Sequence, residues 1–295
     1  MKQVILYGLM LLALLSCKQE VIINIEDKPS VLVVDADLNT DSFICVNLSR
    51  TQNITDNSGK KLIDDAVIEV FDKDTGIVDV LMPYSNGIYK STVTKPMAGK
   101  QYLFKVFQNN RVYWVNERMP DSMACVIQDT ARIVFQGKNN FFQLQLRLDD
   151  PLAQKNYYGI KVRRYYNQIN GTDTQLQVEW ARLETVDLIL TEDPQTRFSN
   201  KHLLFKDAYF NGSKQYLKFG VADLFTTADQ QTTALELFVS SYSENAYNYY
   251  SSVNEHLFYQ NDPFSQPAIV RGNVSNGAYG AIVGQFQQRY LIRFN

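Results

Sequence analysis

Short apolar segments alternate with turn residues throughout residues 29–120, and this pattern restricts the chain to a small set of folds. Residues 31–38 and 102–107 have the length and the β-branched and aromatic content of strands. Asn86-Gly87 and Asn109-Asn110 interrupt the pattern where tight hairpin turns are expected. Roughly seven or eight strands at this spacing predict an N-terminal β-sandwich of the immunoglobulin or transthyretin-like type.

Residues 121–295 show the same kind of pattern, so we predict a second β-sandwich-like domain there. Residues 141–148 alternate well, and their apolar side chains share one face of a strand. We expect residues 175–180 and 185–190 to form a further strand pair. Met119-Pro120-Asp121 marks the joint between the domains, because proline cannot continue a central strand.

One helix is predicted near the C-terminus of an otherwise all-β chain. Ser241-Tyr242-Ser243-Glu244 has the form of a capping box, and Tyr247 and Tyr250 follow at helical spacing. We therefore predict a helix over residues 243–258 whose tyrosines pack against the sheet. Phe264 follows between two prolines and is expected to fill an apolar pocket.

Candidate catalytic groups are scarce. His202, in a predicted strand, and His256, on the predicted helix, are the two histidines, and neither has metal-ligand spacing. A nucleophile-elbow motif and a phosphate-binding loop are both absent from the sequence. Carboxylates on separate strands could still converge to cleave a glycoside. We nevertheless expect a protein that is not an enzyme, with no catalytic residue, no cofactor and no metal.

Two acidic patterns invite functional interpretations. Asp72-x-Asp74-x-Gly76 begins like a calcium loop but lacks the later oxygen ligands and the closing glutamate, so a hairpin turn is predicted. Asp35 and Asp37 share one face of a strand, where two like charges favour a solvated sheet edge over an acid/base pair.

Residues 157–166 carry Lys161, Arg163 and Arg164 among four tyrosines. Such a mixed surface could bind an anionic or sugar-like ligand, while a solvated strand face beside a packed aromatic one is the simpler interpretation. The formal net charge of -2 argues against a nucleic-acid partner. The chain has 18 tyrosines, more than a core needs, which favours some of them at contact surfaces.

The first seventeen residues have the anatomy of a bacterial secretory signal. Lys2 supplies a positive start, and the apolar run over residues 4–15 is too short to span a bilayer comfortably. Leu14-Leu15-Ser16-Cys17 resembles the lipobox of bacterial lipoproteins, which implies a lipoprotein signal peptide over residues 1–17 and lipidation of the Cys17 thiol. An ordinary signal peptide with a chance cysteine is the alternative. Cys45 and Cys125 are predicted to be free, buried thiols and not a disulfide.

Residues 18–28 form a predicted tether after the lipid anchor. Lys18-Gln19-Glu20 resembles the surface-export signal of Bacteroidota lipoproteins, although a random polar spacer is the alternative. Asp121-Ser122-Met123 and Asp129-Thr130-Ala131 resemble O-glycosylation sites of the same bacteria. Ser122 and Thr130 are therefore candidate glycan acceptors, and the hypothesis fails if both hydroxyls are buried.

Several further motifs stand in a characteristic order: Leu32-Val33-Val34-Asp35, Val46-Asn47-Leu48-Ser49-Arg50, Ala66-Val67-Ile68-Glu69-Val70, Gly87-Ile88-Tyr89, the tyrosine-rich helix, Asp262-Pro263-Phe264-x-x-Pro267 and Asn273. Together they resemble the DUF4249 family of Bacteroidota lipoproteins, over most of the chain after Cys17. The resemblance brings no catalytic residues. Members are typically encoded beside TonB-dependent outer-membrane transporters, which implies an accessory role in nutrient uptake.

From these features we expect a lipid-anchored outer-membrane lipoprotein exposed at the cell surface. Its expected function is to bind a ligand, or to assist a TonB-dependent transporter, during nutrient uptake. The sequence leaves the ligand unknown. The alternative function is that of a structural or adhesive β-sandwich protein of the cell surface.

Overall fold

The coordinates come from a computed structural model. The predicted signal peptide and tether, residues 1–17 and 18–28, lie outside the residues that the structure describes. Within the described ranges, none of the helices is long and apolar enough to cross a membrane. The structure describes residues 29–53, 56, 58–135, 139–152, 154–171, 173–222, 224, 229–260, 262, 264–266 and 268–294, and of residues 133–135, 139 and 140 it describes the backbone alone.

Strands dominate the described chain, which confirms the predicted all-β class. In chain order they are β1 (Leu32–Asn39), β2 (Cys45–Arg50), β3 (Lys61–Leu62), β4 (Val67–Asp72), β5 (Gly76–Ser85), β6 (Ile88–Lys90), β7 (Gln101–Gln108), β8 (Arg111–Arg118), β9 (Ala124–Phe135), β10 (Asn139–Asp149), β11 (Tyr157–Asn170), β12 (Asp173–Trp180), β13 (Leu183–Thr185), β14 (Leu203–Lys206), β15 (Lys214–Val221), β16 (Gln230–Tyr242) and β17 (Tyr279–Arg293). The helices are α1 (Leu188–Glu192) and α2 (Glu244–Tyr259), with short 3-10 turns at Thr196–Phe198 and Asp207–Tyr209.

The first sandwich is one end of a large sheet folded over on itself. The sheet has the order β12-β11-β16-β17-β1-β2-β6-β5-β4-β7-β8, with β14 beside β11 and β3 beside β2. It bends within β5, because residues up to Leu81 pair with β4 and residues from Met82 onward pair with β6. The two layers share one core, in which Val34, Val46 and Phe104 are completely buried.

The second sandwich uses the other end of the large sheet. A separate sheet of order β13-β15-β10-β9 packs against β11, β16 and β17. Leu146, Phe219 and Leu237 are completely buried between these layers, and burial of each such side chain contributes about 1.5–3 kcal/mol to folding. The predicted succession of two β-sandwiches with a helix near the C-terminus is therefore confirmed.

The last strand belongs to both sandwiches. The first half of β17 pairs in parallel with β1, and its second half pairs antiparallel with β16. Ile282 lies in the first core, and Phe286 packs against the second. The two cores are thus joined through one strand. The predicted division into residues 29–120 and 121–295 assigns this strand to the second domain alone.

Helix α2 begins and ends one residue later than the predicted span, and its N-cap is Ser243 and not Ser241. Ser243 Oγ accepts a hydrogen bond from the Ala246 amide at 2.9 Å. Ser241 still lies in β16, where its hydroxyl donates to the Asp121 carbonyl at 3.1 Å. The strand continues to Tyr242 because that residue remains paired with β17, which delays the start of the helix.

The predicted pairing of residues 175–180 with residues 185–190 is wrong. β12 pairs with β11, and the second segment runs into α1. The Asp187 carboxylate caps this helix by accepting from the Ile189 amide at 3.0 Å. Local capping therefore outweighs the strand propensity of the following apolar residues.

The prediction for Phe264 is also wrong, because its side chain is 96 % exposed. The Asp262 carboxylate accepts from the Phe264 amide at 3.0 Å, and the Asp262 carbonyl accepts from the Ser265 amide at 3.2 Å. This tight turn directs the aromatic ring away from the protein.

Several predicted turns and thiols are confirmed. Asn86 and Gly87 have φ values of 49° and 74°, as a two-residue hairpin turn requires. Asp72 pairs with Gly76 across a hairpin, and Lys100 Nζ lies 2.8 Å from the carboxylate of Asp74 in the turn. Cys45 and Cys125 are both free, but only Cys125 is buried as predicted, because Cys45 is half-buried.

Candidate functional site

Helix α2 covers only part of the outer face of the large sheet, the face that points away from both cores. Beneath the helix, Tyr242, Ala281 and Val283 form a small apolar cluster with Ala246 and Tyr247 of the helix itself. Beyond the helix, the outer faces of β11, β16 and β17 are open. The open part contains a polar cavity, which we call the sheet groove.

The sheet groove has a volume of about 310 Å³. That volume lies at the small end of the roughly 300–1,000 Å³ that ligand pockets occupy. Three cations and one carboxylate are among its walls, in a chain whose formal net charge is -2. The groove is therefore an electropositive site on an acidic protein. It is lined by Asp37, Asn39, Ser42, Lys161, Arg163, Trp180, Phe238, Gln285, Gln287 and Arg289.

Aromatic rings hold the three cations of the groove in place. The Arg163 guanidinium carbon lies 4.8 Å from the centre of the Trp180 ring and 5.0 Å from that of Phe238. Arg289 lies 5.5 Å from the Phe238 ring centre, on the neighbouring strand. Lys161 Nζ lies 5.7 Å from the Trp180 ring centre. Such contacts contribute about 0.5–1 kcal/mol each at exposed sites, so the cations are positioned before any ligand arrives.

A relay of hydrogen bonds orders the polar floor of the groove. Arg289 Nε donates to Gln287 at 3.1 Å, and Gln287 donates to Ser240 at 3.2 Å. Ser240 donates to the side-chain oxygen of Gln285 at 3.2 Å. The amide nitrogen of Gln285 in turn donates to Asp37 Oδ1 at 2.8 Å. The amide groups of both glutamines are therefore fixed in orientation.

Tyr250 of α2 forms the wall between the covered and the open parts of the face. Its hydroxyl donates to Asp37 Oδ2 at 3.0 Å, and Lys161 Nζ lies 5.4 Å from its ring centre. Burial raises the pKa of Asp37, although the Tyr250 hydrogen bond and the charge of Lys161 partly offset that effect. Burial lowers the pKa of Lys161, and the charge of Asp37 opposes the change.

Two of the three cations form no ion pair with a carboxylate among the described residues. Arg163 lies 3.3 Å from Glu236, which also accepts from the Tyr165 hydroxyl at 2.8 Å. Among the residues that the structure describes, no carboxylate oxygen lies within ion-pair distance of Lys161 or Arg289. Positioned cations that are not held in a direct ion pair can accept an anionic ligand with little rearrangement.

A second cavity, of about 480 Å³, lies at the N-terminal end of α2. The polar side chains that line it contact one another. Gln154 donates to the Asp121 carboxylate at 2.5 Å, and Arg118 lies 3.6 Å from the same carboxylate. Tyr157 donates to Glu244 at 3.1 Å on the opposite wall. Because these groups already have protein partners, the second cavity is a weaker candidate than the sheet groove.

Glu117 is a completely buried acid beside the start of α2. It accepts hydrogen bonds from the Ser243 hydroxyl, from Asn245 at 2.7 Å and from the Gly284 amide at 2.7 Å. Burial raises the pKa of Glu117 to about 7, against the opposing effect of these hydrogen bonds. Glu117 connects β8, β17 and the helix, so its role is structural.

Neither histidine lines the sheet groove. His202 precedes β14 by one residue, instead of lying in a strand, and its Nε2 is 3.0 Å from the Tyr242 hydroxyl oxygen. Burial lowers the pKa of His202 well below its ordinary value. His256 Nδ1 lies 2.9 Å from the Ala268 carbonyl oxygen. Over the part of the chain that the structure describes, no group of three metal-ligating side chains is found.

The predicted modification sites fall into two groups. Cys17 lies outside the described residues, so its lipidation stays a prediction. Ser122 and Thr130 are both exposed, as a glycan acceptor must be, and their glycosylation also stays a prediction.

The cationic strand and the acidic pair are only partly as predicted. Lys161 and Arg163 do share the open face, but Arg164 faces the other side of β11, where it is buried and lies 3.0 Å from Glu179. Asp35 and Asp37 both keep exposed side-chain surface, although neighbouring groups partly desolvate the Asp37 carboxylate. However, β1 is not an edge strand, because it pairs with both β2 and β17. The edge interpretation is wrong because the last strand of the chain pairs with β1.

Sequence reasoning missed much of the groove. Gln285, Gln287 and Arg289 alternate along the last strand, and this period of two could have identified a polar face there. Their meeting with Lys161 depends on the pairing of β17 with β16 and of β16 with β11. Glu117 follows Tyr113 and Val115 at every second position of β8, and this inward phase could have identified it as buried.

The family model described as "Domain of unknown function (DUF4249)" matches residues 18–290. The comparison with curated proteins gives no match.

Proposed function

The chain belongs to the DUF4249 family, and we propose that it is a lipid-anchored outer-membrane lipoprotein that binds a small nutrient in the sheet groove for a TonB-dependent transporter. The observation that carries the proposal is the groove itself. Its cations are held by aromatic rings, and two of them have no carboxylate partner among the described residues. A binding role, not a catalytic one, accounts for an ordered polar floor that contains a single carboxylate.

The groove is open enough for capture and transfer. The Arg163 side chain is 36 % exposed, and the Arg289 side chain also faces solvent. A shallow site of this kind suits a protein that passes its ligand on, because little rearrangement is needed for release.

An exposed apolar patch beside the groove supports a partner protein. Leu176 and Val178 of β12 are 63 % and 51 % exposed, and Leu291 of β17 is 54 % exposed. β12 is also an edge strand of the large sheet. Exposed apolar patches on sheet edges are typical of protein contact surfaces, and the transporter is the partner that we propose for this one.

Copurification tests the association with the transporter. The full chain is extracted from outer membranes in mild detergent, and associated proteins are identified by mass spectrometry. We expect a TonB-dependent transporter with the unaltered chain, and its loss with Val178→Asp. The control is Val67→Asp, whose side chain is 49 % exposed on the first sandwich. Repeated recovery of no transporter with the unaltered chain would contradict the proposal.

Palmitate labelling tests the anchor separately. We expect the labelled lipid to be incorporated into the full chain and to be lost in Cys17→Ala. Equal labelling of the two chains would show that Cys17 is not the attachment site. A defect in cell attachment, with normal nutrient uptake, on deletion of the gene would favour the structural or adhesive alternative.

A further inference from the structure

The arrangement of charges and amides in the sheet groove limits the chemistry of its ligand. We propose, on the basis of the proposed binding function, that the groove binds a carboxylate-bearing sugar of the uronic-acid type, one sugar ring at a time. The cations would hold the carboxylate, and the ordered amides would hold the ring hydroxyls.

The carboxylate has a site between Lys161 and Arg289. Lys161 and Arg289 are aligned with Phe238 between them, on three neighbouring strands of the open face. Adjacent strands lie about 4.8 Å apart, which places the two outer backbones about 10 Å from each other. Their long side chains can converge on one anionic group across the Phe238 ring. A guanidinium offers paired donors that match the two oxygens of a carboxylate.

The hydroxyl groups of the sugar would find both hydrogen-bond donors and acceptors in the groove. The glutamines of the floor each present a donor and an acceptor, and the Asp37 carboxylate accepts only. A sugar hydroxyl both donates and accepts, so it can bind an amide and a carboxylate together. The hydrogen bonds that already order Gln285 and Gln287 reduce the entropy lost when a hydroxyl binds.

The same groups disfavour a highly charged anion. Asp37 lies on the groove wall and would repel a dianion such as phosphate. The single carboxylate of a uronic acid can remain at the cationic side, away from Asp37. A cavity of about 310 Å³ also suits one ring better than a long chain.

The fluorescence of Trp180 provides a direct test. The chain has two tryptophans, and Trp114 lies on β8 of the first sandwich. The full chain with Trp114→Phe is purified in mild detergent and titrated with methyl glucuronide, methyl glucoside or inorganic phosphate. The two glycosides differ only in a carboxylate that replaces a hydroxymethyl group. We expect saturable binding of the glucuronide, and binding of the glucoside weaker by roughly tenfold or more.

Charge-removing variants test which residues hold the carboxylate. Lys161→Gln and Arg289→Gln are each expected to weaken glucuronide binding by roughly tenfold, without a change in the circular-dichroism spectrum. The matched control is Lys105→Gln, because Lys105 also lies over an aromatic ring, 4.4 Å from the centre of Phe71, but on the first sandwich. The control should bind glucuronide as the parent does.

Other results would overturn the assignment. Equal binding of glucoside and glucuronide would remove the role of the carboxylate, and equally tight binding of phosphate would indicate a general anion site. An absence of any binding, or an equal effect of Lys105→Gln, would overturn the assignment to the sheet groove. None of these results affects copurification with the transporter or labelling of Cys17, so the proposed function is tested apart from its ligand.

Discussion

The covered and the open halves of one sheet face have opposite chemistry, although they share strands β11, β16 and β17. Under helix α2, Ala281 and Val283 are buried against Tyr247. Further along β17, Gln287 and Arg289 point to the same side but remain in contact with solvent. Tyr250 separates the two halves and contacts both, through the ring of Tyr242 at 5.3 Å and the carboxylate of Asp37 at 3.0 Å.

The difference shows what covering a sheet face requires. A helix can pack closely only where the strand residues are small or apolar. At Gly159, for example, a side chain would collide with the Tyr242 ring. Where no element covers the face, charged residues stay hydrated and remain available to a ligand. One strand can thus serve packing in its first half and recognition in its second.

The largest effect on stability is expected from a polar substitution in the covered half of the sheet face. A matched substitution in the open half serves as the comparison. Val283→Asn puts an unpaired amide beneath the helix, where the side chain is 2 % exposed, and should cost about 4 kcal/mol of unfolding free energy. Leu291→Asn, on the same face of the same strand, should cost less than about 1 kcal/mol, because Leu291 is already 54 % exposed. Urea denaturation measures both. Similar costs would mean that the helix does not cover Val283.

The second prediction concerns the pH dependence of the helix attachment. The pKa of Glu117 is about 7 in the folded protein, compared with an ordinary value of 4.5. The folded state therefore binds this proton more tightly than the unfolded state does. The stability that the protonated group contributes is fully present below pH 4.5 and decreases as the pH rises to about 7. The loss should be roughly 3 kcal/mol across that window.

Urea denaturation at a series of pH values, with Glu117→Gln as the comparison, isolates this contribution. The neutral amide has no proton to lose, so the variant should lack the decrease that Glu117 causes between pH 4.5 and 7. Identical pH profiles for the two chains would contradict the assignment.

A smaller effect is expected at the start of the helix that covers the sheet. Ser243→Ala removes the N-cap and one donor to Glu117, and should cost about 1–2 kcal/mol. Because the Ala246 amide donates to Ser243, that amide should exchange its hydrogen faster in the variant. Ser241→Ala is the control, since its hydroxyl lies in β16 and caps nothing. Faster exchange at Ala246 in the control instead would place the cap at Ser241.

The fold could be predicted from local signals to a large extent. Turns such as Asn86-Gly87 require positive φ, and alternating residues of β10 identify a strand without tertiary information. The helix was predictable from the spacing of Tyr247 and Tyr250, while its cap was displaced by two residues because Tyr242 pairs with β17. Local chemistry fixes the elements, and long-range pairing adjusts their ends.

The groove could be predicted only in fragments. Lys161 and Arg163 alternate on one strand, so their shared face was visible in the sequence. The parallel pairing of β1 with β17 joins the two ends of the described chain, and no local pattern indicates it. For that reason the sequence places Asp37 at a sheet edge and does not indicate that Gln285 and Arg289 line the same groove. Sites built from distant strands depend on topology, which single-sequence patterns specify weakly.

A crystal structure of the full chain soaked with methyl glucuronide tests most directly whether the open half of the sheet face is a ligand site. We predict density for one sugar ring in the sheet groove, with its carboxylate within hydrogen-bond distance of Lys161 or Arg289 and a ring hydroxyl on Gln287 or Asp37. The covered half should be unchanged. Density for the sugar only in the cavity beside Tyr157 and Glu244, or an empty groove at saturating ligand, would contradict the account.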